Sequence, residues 1–178
     1  MIYKRIKGEW KNFDGTNTNS YRIRKYADNF EVNEENGVIH SICYINSPTG
    51  LCAMYVSENP LLGGTGVGNL NYTYTDHLGS ITAITNNTGN VIARMNFDAW
   101  GRRRKAQDYS YLESNTIEIH NGLPGLSSNG IPAWLYRGHT GHEMLNEFTL
   151  INMNARLYDP VVGMMLSPDN YVTEASNT

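Results

Sequence analysis

The sequence has few charged residues and no long apolar run, and both absences narrow the classes of protein to which it can belong. Only 17% of its 178 residues are charged, and the formal net charge is −3 at pH 7, so the composition gives no electrostatic case for a nucleic-acid partner. No apolar run approaches the ~18 residues of a membrane span, and the first residues lack the apolar segment of a signal peptide. The chain is therefore expected either to stay inside the cell or to belong to a longer protein whose export signal lies upstream.

Cysteine is also scarce, since the chain has only Cys43 and Cys52. One pair without a second lacks the ligand spacing of a closed zinc site. The two residues flank a predicted turn near Ser47 and Pro48 and are placed roughly opposite each other, so a cross-strand disulfide is geometrically possible. Small apolar positions more often hold reduced cysteines, and the sequence alone leaves the pairing open.

What the chain does contain indicates β-structure. It has 17 glycines and 12 tyrosines together with many Asn and Thr residues, a composition typical of strands and turns. Apolar residues that alternate with a period of two predict two hairpins and one further strand with a buried face. The predicted hairpins are 38–45 with 51–56 and 81–85 with 91–97, and the further strand is 151–158.

The remaining stretches are predicted to be less regular. Residues 1–30 are interpreted as two short polar strands, which would form an exposed edge if isolated. The glycine-rich stretch 59–71 and the long stretch 107–132 are predicted to be loops, and the basic run 102–105 a solvated turn. Five large side chains are assigned to core or inter-sheet packing, namely Trp100, Trp134, Met153, Met164 and Met165.

One turn motif recurs along the chain. The pattern Asp-x-x-Gly occurs at 76–79 and 98–101, and a looser copy runs from Asp159 to Gly163. Such repeats indicate stacked supersecondary units, none of which buries its apolar face alone. An Asp before a turn can accept hydrogen bonds from backbone N–H groups, while the Gly supplies the left-handed conformation. A structural role is therefore favoured for these aspartates over a catalytic one.

A metal site is considered at His139, His142 and Glu143. These three residues could bind zinc if other ligands arrived from elsewhere in the chain. The spacing of the two histidines, with a Gly between them, differs from that of the helix-borne His-Glu-x-x-His motif. Metal binding is therefore disfavoured here, and no metal or cofactor is predicted.

Acid–base chemistry is considered at Asp76 and His77, with Ser80 nearby as a nominal nucleophile. Adjacent residues of a strand point to opposite faces, so Asp76 is poorly placed to orient His77. A turn motif is the preferred interpretation of this segment as well.

Four segments, taken in series, resemble the RHS repeat-associated core domain of the bacterial Rhs and YD-repeat proteins. They are Y-T-D-H-L-G-S, T-G-N-V-I-A-R-M-N-F-D-A-W-G-R-R-R, R-G-H-T-G-H-E and L-I-N-M-N-A-R-L-Y-D-P-V-V-G-M-M-L-S-P-D. The resemblance covers 72–171. Residues 1–71 look like the tyrosine-rich YD-type strands that precede such a core, and 172–178 are expected to be a disordered tail. The resemblance implies structural roles for Asp76, His77, Gly79, Asp98, Gly101, Arg102, Gly138, Gly141, Arg156, Tyr158, Asp159, Pro160, Gly163 and Pro168.

The resemblance also implies a fold and a role. Family members wind antiparallel β-hairpins of YD-repeat type, with long loops, into a hollow shell, and the core closes one end. The shell encloses a variable C-terminal segment, frequently a toxin used in competition between bacteria, and the protein is secreted or lies at the cell surface. The expected partners are upstream YD repeats and a C-terminal toxin segment, with neither nucleic acid nor a membrane span.

In many members the core is also an aspartyl autoprotease that uses two Asp-Pro-x-Gly motifs. Asp169 falls on the first aspartate, but Asn170 and Tyr171 depart from the motif and no second motif follows. An aspartyl mechanism needs one ionised and one protonated carboxyl group, so self-cleavage is expected to fail.

Three hypotheses about function result. The first is a non-catalytic, encapsulating module of an Rhs-type toxin or surface protein, present as a truncated piece without its cargo. The second is an autoprotease in which Asp169 works with an aspartate from another chain. The third is a surface module that binds carbohydrate or protein through its tyrosines.

Overall fold

The computed structural model describes residues 2–11, 17–35, 38–60, 68–111, 131–132, 134–145 and 148–169, with 2–11, 17–22, 35 and 59–60 described by their backbone alone. The all-β prediction is confirmed, because the described residues form antiparallel sheets and no α-helix. No helix in these ranges is long and apolar enough to cross a membrane. The predicted loops at 59–71 and 107–132 lie partly, and the tail at 172–178 wholly, outside the described residues.

The largest sheet has eight strands in the order of the chain. They are β1 (Ile2–Lys11), β2 (Asn17–Ala27), β3 (Phe30–Glu35), β4 (Val38–Ser47), β5 (Gly50–Pro60), β6 (Asn69–Thr75), β7 (Ile81–Asn86) and β8 (Val91–Arg94). Both predicted hairpins are confirmed, as β4–β5 and β7–β8. The second return strand is interrupted at Met95, whose N–H still donates to the Thr82 carbonyl at 2.8 Å.

Two smaller sheets follow. β9 (Asn96–Phe97) pairs with β10 (Arg103–Arg104), and a 3-10 turn at His139–Gly141 leads into a four-stranded sheet in chain order. Its strands are β11 (Glu143–Leu145), β12 (Leu150–Asn152), β13 (Leu157–Asp159) and β14 (Met164–Met165).

The prediction of one continuous strand over 151–158 is wrong, because β12 ends at Asn152 and β13 begins at Leu157. The Met153 N–H donates to the Arg156 carbonyl at 3.0 Å, which closes a turn. Asn154 sits in that turn with φ of 65°, a left-handed conformation that Asn tolerates better than most residues. The alternating apolar residues therefore belong to two strands of one hairpin.

The predicted juxtaposition of the two cysteines is also wrong. The β4–β5 turn closes at Ser47 and Gly50, and a register shift between Ile45 and Asn46 moves the pairing further, so that Cys43 lies opposite Tyr55. Both cysteines are free thiols. The Cys52 thiol instead donates to the Ile45 carbonyl at 3.2 Å, beside the irregularity. A bulge adds a residue to one strand, and the alternation of side chains does not reveal it.

The chain divides into two compact units, Met1–Tyr74 with Ala83–Ile92, and Thr75–Thr82 with Ala93–Thr178. In the first unit, Ile42 lies opposite Glu31 on β3 and Val56 on β5, so the three side chains share one face of the sheet. All three are buried, and the Tyr44 hydroxyl donates to the Glu31 carboxylate at 2.8 Å. In the described part of the second unit, the buried apolar residues include Ile81, Ala93, Met95, Ile131, Leu135, Tyr136, Met144, Leu145 and Ile151.

Candidate functional site

The predicted site residues gather in the second unit, where Asp76 organises the turn between β6 and β7. Its Oδ1 accepts the backbone N–H groups of Leu78 at 2.9 Å and Ser80 at 2.8 Å. Gly79 donates its N–H to the Asp76 carbonyl at 3.0 Å and has φ of 84°. One side-chain oxygen thus satisfies two backbone donors, and the positive φ accounts for the Gly.

Asp98 builds the same turn between β9 and β10. Its Oδ1 accepts the N–H groups of Trp100 at 2.9 Å and Arg102 at 2.8 Å. Gly101 again has φ of 84° and donates to the Asp98 carbonyl. The two Asp-x-x-Gly segments therefore have one geometry.

A third example of this turn lies in the first unit and contains no aspartate. Asn86 Oδ1 accepts the N–H groups of Thr88 at 3.1 Å and Asn90 at 2.9 Å, and Gly89 has φ of 84°. A neutral amide oxygen performs the task of the carboxylate, so the turn does not need a negative charge. A search for Asp-x-x-Gly misses this copy, whereas a search that admits Asn finds it.

The looser copy at Asp159 is longer by one residue. Asp159 Oδ1 accepts the Val161 N–H at 2.8 Å and the Val162 N–H at 3.4 Å, while Gly163 closes the turn with φ of 70°. Pro160 is buried and brings no N–H group that would need an acceptor. A Cβ atom on Gly163 would lie 3.2 Å from the Trp100 ring, so these two turns are in contact.

Trp100 and Met164 are exceptions to the predicted core packing. Their side chains are 62% and 64% exposed, because Trp100 occupies the tip of its turn and Met164 lies on the last strand of its sheet. Met153, Met165 and Trp134 are half-buried. The prediction of core packing is therefore wrong for Trp100 and Met164, which are presented to solvent.

His139 and Ser80 form the most buried polar contact among these turns. Ser80 is fully buried and its Oγ lies 3.4 Å from His139 Nδ1, while the Thr140 N–H donates to the same Oγ at 3.1 Å. His139 is 8% exposed, and its ring lies 5.7 Å from that of Phe97. The contact ties the 3-10 turn to the Asp76 turn.

Gly101 makes room for the His139 ring. A Cβ atom at this position would lie 2.4 Å from His139 Cδ2, far inside van der Waals contact. Gly138 has a similar role, because a Cβ atom there would lie 2.9 Å from both Met144 and Phe97. Gly141 meets only the Gly79 carbonyl, at 3.8 Å, and its φ of 71° is the reason for a Gly there.

Burial and nearby charges act in opposite directions on His139. Burial lowers the pKa of its imidazole, and the carboxylates of Asp76 and Asp98 raise it, with the net result below the ordinary value. The ring is therefore neutral at pH 7. For Asp76, burial raises the pKa, but hydrogen bonds from Ser80 and Leu78 outweigh it and the carboxyl pKa lies below its ordinary value.

These contacts do not amount to a catalytic site. A nucleophile must be accessible and must hydrogen-bond to a base that a third group orients, whereas Ser80 is wholly buried and Asp76 Oδ1 is engaged by backbone N–H groups. His77, considered above as its partner, is exposed. Sequence reasoning missed the contact of Ser80 with His139, which lies 59 positions away, and no local signal reveals it.

The residues weighed as metal ligands have other contacts. Glu143 is 6% exposed and accepts a hydrogen bond from Asn152 Nδ2 at 2.8 Å. Burial, Arg137 and His139 together lower the pKa of His142. Within the described ranges, no group of three or more His, Cys, Asp or Glu side chains is arranged to hold a metal ion.

Asp169 forms an ion pair with Arg156 at 3.1 Å. The carboxylate is 55% exposed and Pro168 beside it is exposed as well. Just before this segment the Leu166 N–H donates to the Leu157 carbonyl at 2.8 Å, so the ion pair fastens the chain beyond β14 to the start of β13. Tyr158 lies near Asp98 and Asp159, and burial followed by these two carboxylates raises its pKa.

Comparison with known proteins finds similarity in structure but not in sequence. No protein-family model and no curated protein matches the sequence. The fold is similar to the crystal structure of TcdB2-TccC3, with a TM-score of 0.67 and 12% identity over 95% of this chain. The crystal structure of TcdB2-TccC3 without its hypervariable C-terminal region gives a TM-score of 0.62, also at 12% identity, over 93% of this chain. The chain spans 7% of the length of each, and the likeness shows an Rhs-like fold.

Proposed function

We propose that this chain is a non-catalytic structural module of an Rhs-type toxin or cell-surface protein and contributes part of an encapsulating shell. The observation that carries the proposal is the eight-stranded sheet in which every strand pairs with its neighbour in sequence. The proposal is also supported by the likeness of the chain, over nearly its whole length, to two Rhs toxin structures. The predicted division at residue 72 remains part of this proposal.

The end of the large sheet suggests the partner. β1 stands at one end of the strand order, and its ten residues pair with β2 along one side. A long strand at the end of a sheet offers backbone N–H and C=O groups to a further strand. We assign this edge to another Rhs segment, such as an upstream YD repeat, and place a C-terminal toxin segment among the partners on the strength of the sequence resemblance.

The polar residues of the turns support a structural reading over a catalytic one. In the turns at Asp76 and Asp98 a carboxylate oxygen accepts backbone N–H groups, and Asn86 does the same without charge. Asp169 lies in an ion pair with Arg156. None of these contacts favours the self-cleaving alternative.

The native polypeptide in its source cells provides the test. An antibody raised against this chain would recover it, and intact-mass measurement would give its length. We expect a polypeptide longer than this chain in which 68–111 resist added protease, because the shell pairs and covers these strands. A native product with the mass of this chain alone, or a ready cut within 68–111, would contradict the proposal.

Self-cleavage is tested on the same polypeptide, with and without Asp169→Asn. We expect one product of unchanged mass from both versions. A cut that the substitution abolishes would identify the chain as part of an active autoprotease.

A further inference from the structure

The basic run after the Asp98 turn is arranged together with two tyrosines. Arg102 directly precedes β10 and Arg104 is the second residue of that strand, so the two arginines are two positions apart in the chain. The Arg102 guanidinium lies 4.1 Å from the centroid of the Tyr111 ring, and the Arg104 guanidinium lies 5.7 Å from that of Tyr109. These four residues are called the arginine–tyrosine surface.

Hydrogen bonds hold this surface in place. The Tyr111 hydroxyl donates to Asp98 Oδ2 at 3.2 Å. Arg104 donates from Nε to Asn96 Oδ1 at 3.0 Å and from Nη2 to the Phe97 carbonyl at 2.8 Å. A guanidinium that is stacked or anchored in this way loses less rotamer freedom when it binds a ligand.

The guanidinium of Arg102 keeps its donors available. Among the described residues it donates no hydrogen bond, and its stacking on Tyr111 leaves the in-plane N–H groups at the edge. The neighbouring acids are already engaged, since Asp98 accepts Trp100, Arg102 and Tyr111, and Asp108 accepts the N–H and hydroxyl of Ser110. A planar guanidinium edge matches a carboxylate, which it can bind through two parallel hydrogen bonds.

We propose that the arginine–tyrosine surface binds an extended acidic peptide segment. Alternate residues of an extended peptide are about 6.6 Å apart, so carboxylates at such positions can be shared between two arginines that are themselves two residues apart in the chain, Arg102 and Arg104. The exposed Lys105 adds to the positive charge, and Tyr109 and Tyr111, 60% and 45% exposed, supply contact area. This inference is independent of the proposed shell role.

The chemistry favours a peptide over single-stranded nucleic acid. Binding to single strands relies on open aromatic faces on which bases stack, and each of these tyrosine rings already has a guanidinium over one face.

The experiment measures fluorescence anisotropy of a labelled peptide of alternating Thr and Glu, at about 50 mM salt to limit screening. A peptide of alternating Thr and Gln is the neutral control, and a single-stranded oligothymidylate is the nucleic-acid arm. We expect the Glu peptide to bind more tightly than either. Preference for the oligothymidylate, equal binding of the Gln peptide, or no binding at all would overturn the proposal.

Matched variants locate the binding. Arg102→Gln should weaken it about tenfold, whereas Arg94→Gln, which removes an exposed arginine on β8, should leave it unchanged. Tyr111→Leu, which removes the stacking ring, should weaken binding several-fold. If Arg102→Gln fails to fold by circular dichroism, Arg102→Lys keeps the charge without the planar edge and should also weaken binding several-fold. Equal effects of the changes at Arg102 and Arg94 would refute the assignment.

Discussion

The turn at Asn86 and the turn at Asp98 share their hydrogen bonds and the φ of their glycines but differ in their surroundings. A Cβ atom on Gly89 would meet nothing within 4 Å, whereas one on Gly101 would strike the ring of His139. The first turn only reverses the chain at the exposed tip of its hairpin. The second makes the same reversal and also accepts a buried side chain from a distant segment. The same local motif thus carries different energetic weight according to what packs against it.

The largest effect should come from replacing Gly101 with Ala, and the same change at Gly89 is its matched comparison. Gly89→Ala should cost about 1 kcal/mol of unfolding free energy, because only the positive φ opposes it. Gly101→Ala should cost about 2–5 kcal/mol, since overpacking against His139 adds to the same penalty. Urea denaturation of both variants checks this. Equal losses of unfolding free energy would show that the His139 ring moves aside without cost.

Removal of the turn acceptor should have the next largest effect. Asp98→Ala leaves the N–H groups of Trp100 and Arg102 without their acceptor and should cost about 1–3 kcal/mol. Asp98→Asn keeps an acceptor oxygen, as Asn86 does, and should cost about 0.5 kcal/mol. If the Asn variant is as unstable as the Ala variant in urea, the charge of Asp98 matters in a way that the Asn86 turn does not predict.

Acid should lower the stability of the protein through His139, which packs against the Asp98 turn. Because the folded state holds the pKa of His139 below its ordinary value, the unfolded chain binds a proton that the folded chain excludes once the pH falls below about 6.5. Stability should therefore decline as the pH falls from about 6.5 toward the folded pKa. His142 acts in the same direction, so His139→Gln should reduce the decline without abolishing it.

Urea midpoints at several pH values measure this dependence, with His77→Gln as the exposed-histidine control. If the urea midpoint of His139→Gln falls with pH as steeply as that of the unchanged protein, protonation of His139 does not contribute to the loss of stability in acid. Asp76 contributes in a lower window, because its folded pKa is depressed and its stabilisation is lost only as the pH falls below about 3.8.

The smallest effect should be that of Asn86→Asp. A carboxylate oxygen can accept the N–H groups of Thr88 and Asn90 as the amide does, and the turn is exposed. The unfolding free energy should change by less than about 0.5 kcal/mol. A larger loss would mean that the two kinds of turn are not equivalent.

The sequence could predict those parts of the fold that depend on residues close together in the chain. Strand alternation and turn residues predict the two hairpins, because both depend on neighbours in the chain. The prediction of strands was wrong where a single residue with positive φ turns the chain, as at Asn154. The prediction of paired residues was wrong where the register shifts after Ile45. It also failed for Ser80, whose partner His139 is brought close by tertiary folding. Side-chain periodicity carries no information about such contacts.

The sequential order of β1 to β8 has a consequence for how such a chain folds and changes in length. Every strand finds its partner a short distance along the chain, so loop-closure entropy is low and hairpins can be added one after another from any starting point. An insertion or deletion of one whole hairpin would leave every other pairing intact. A sheet of this kind can grow by hairpin units, with its length set by the number of hairpins in the chain.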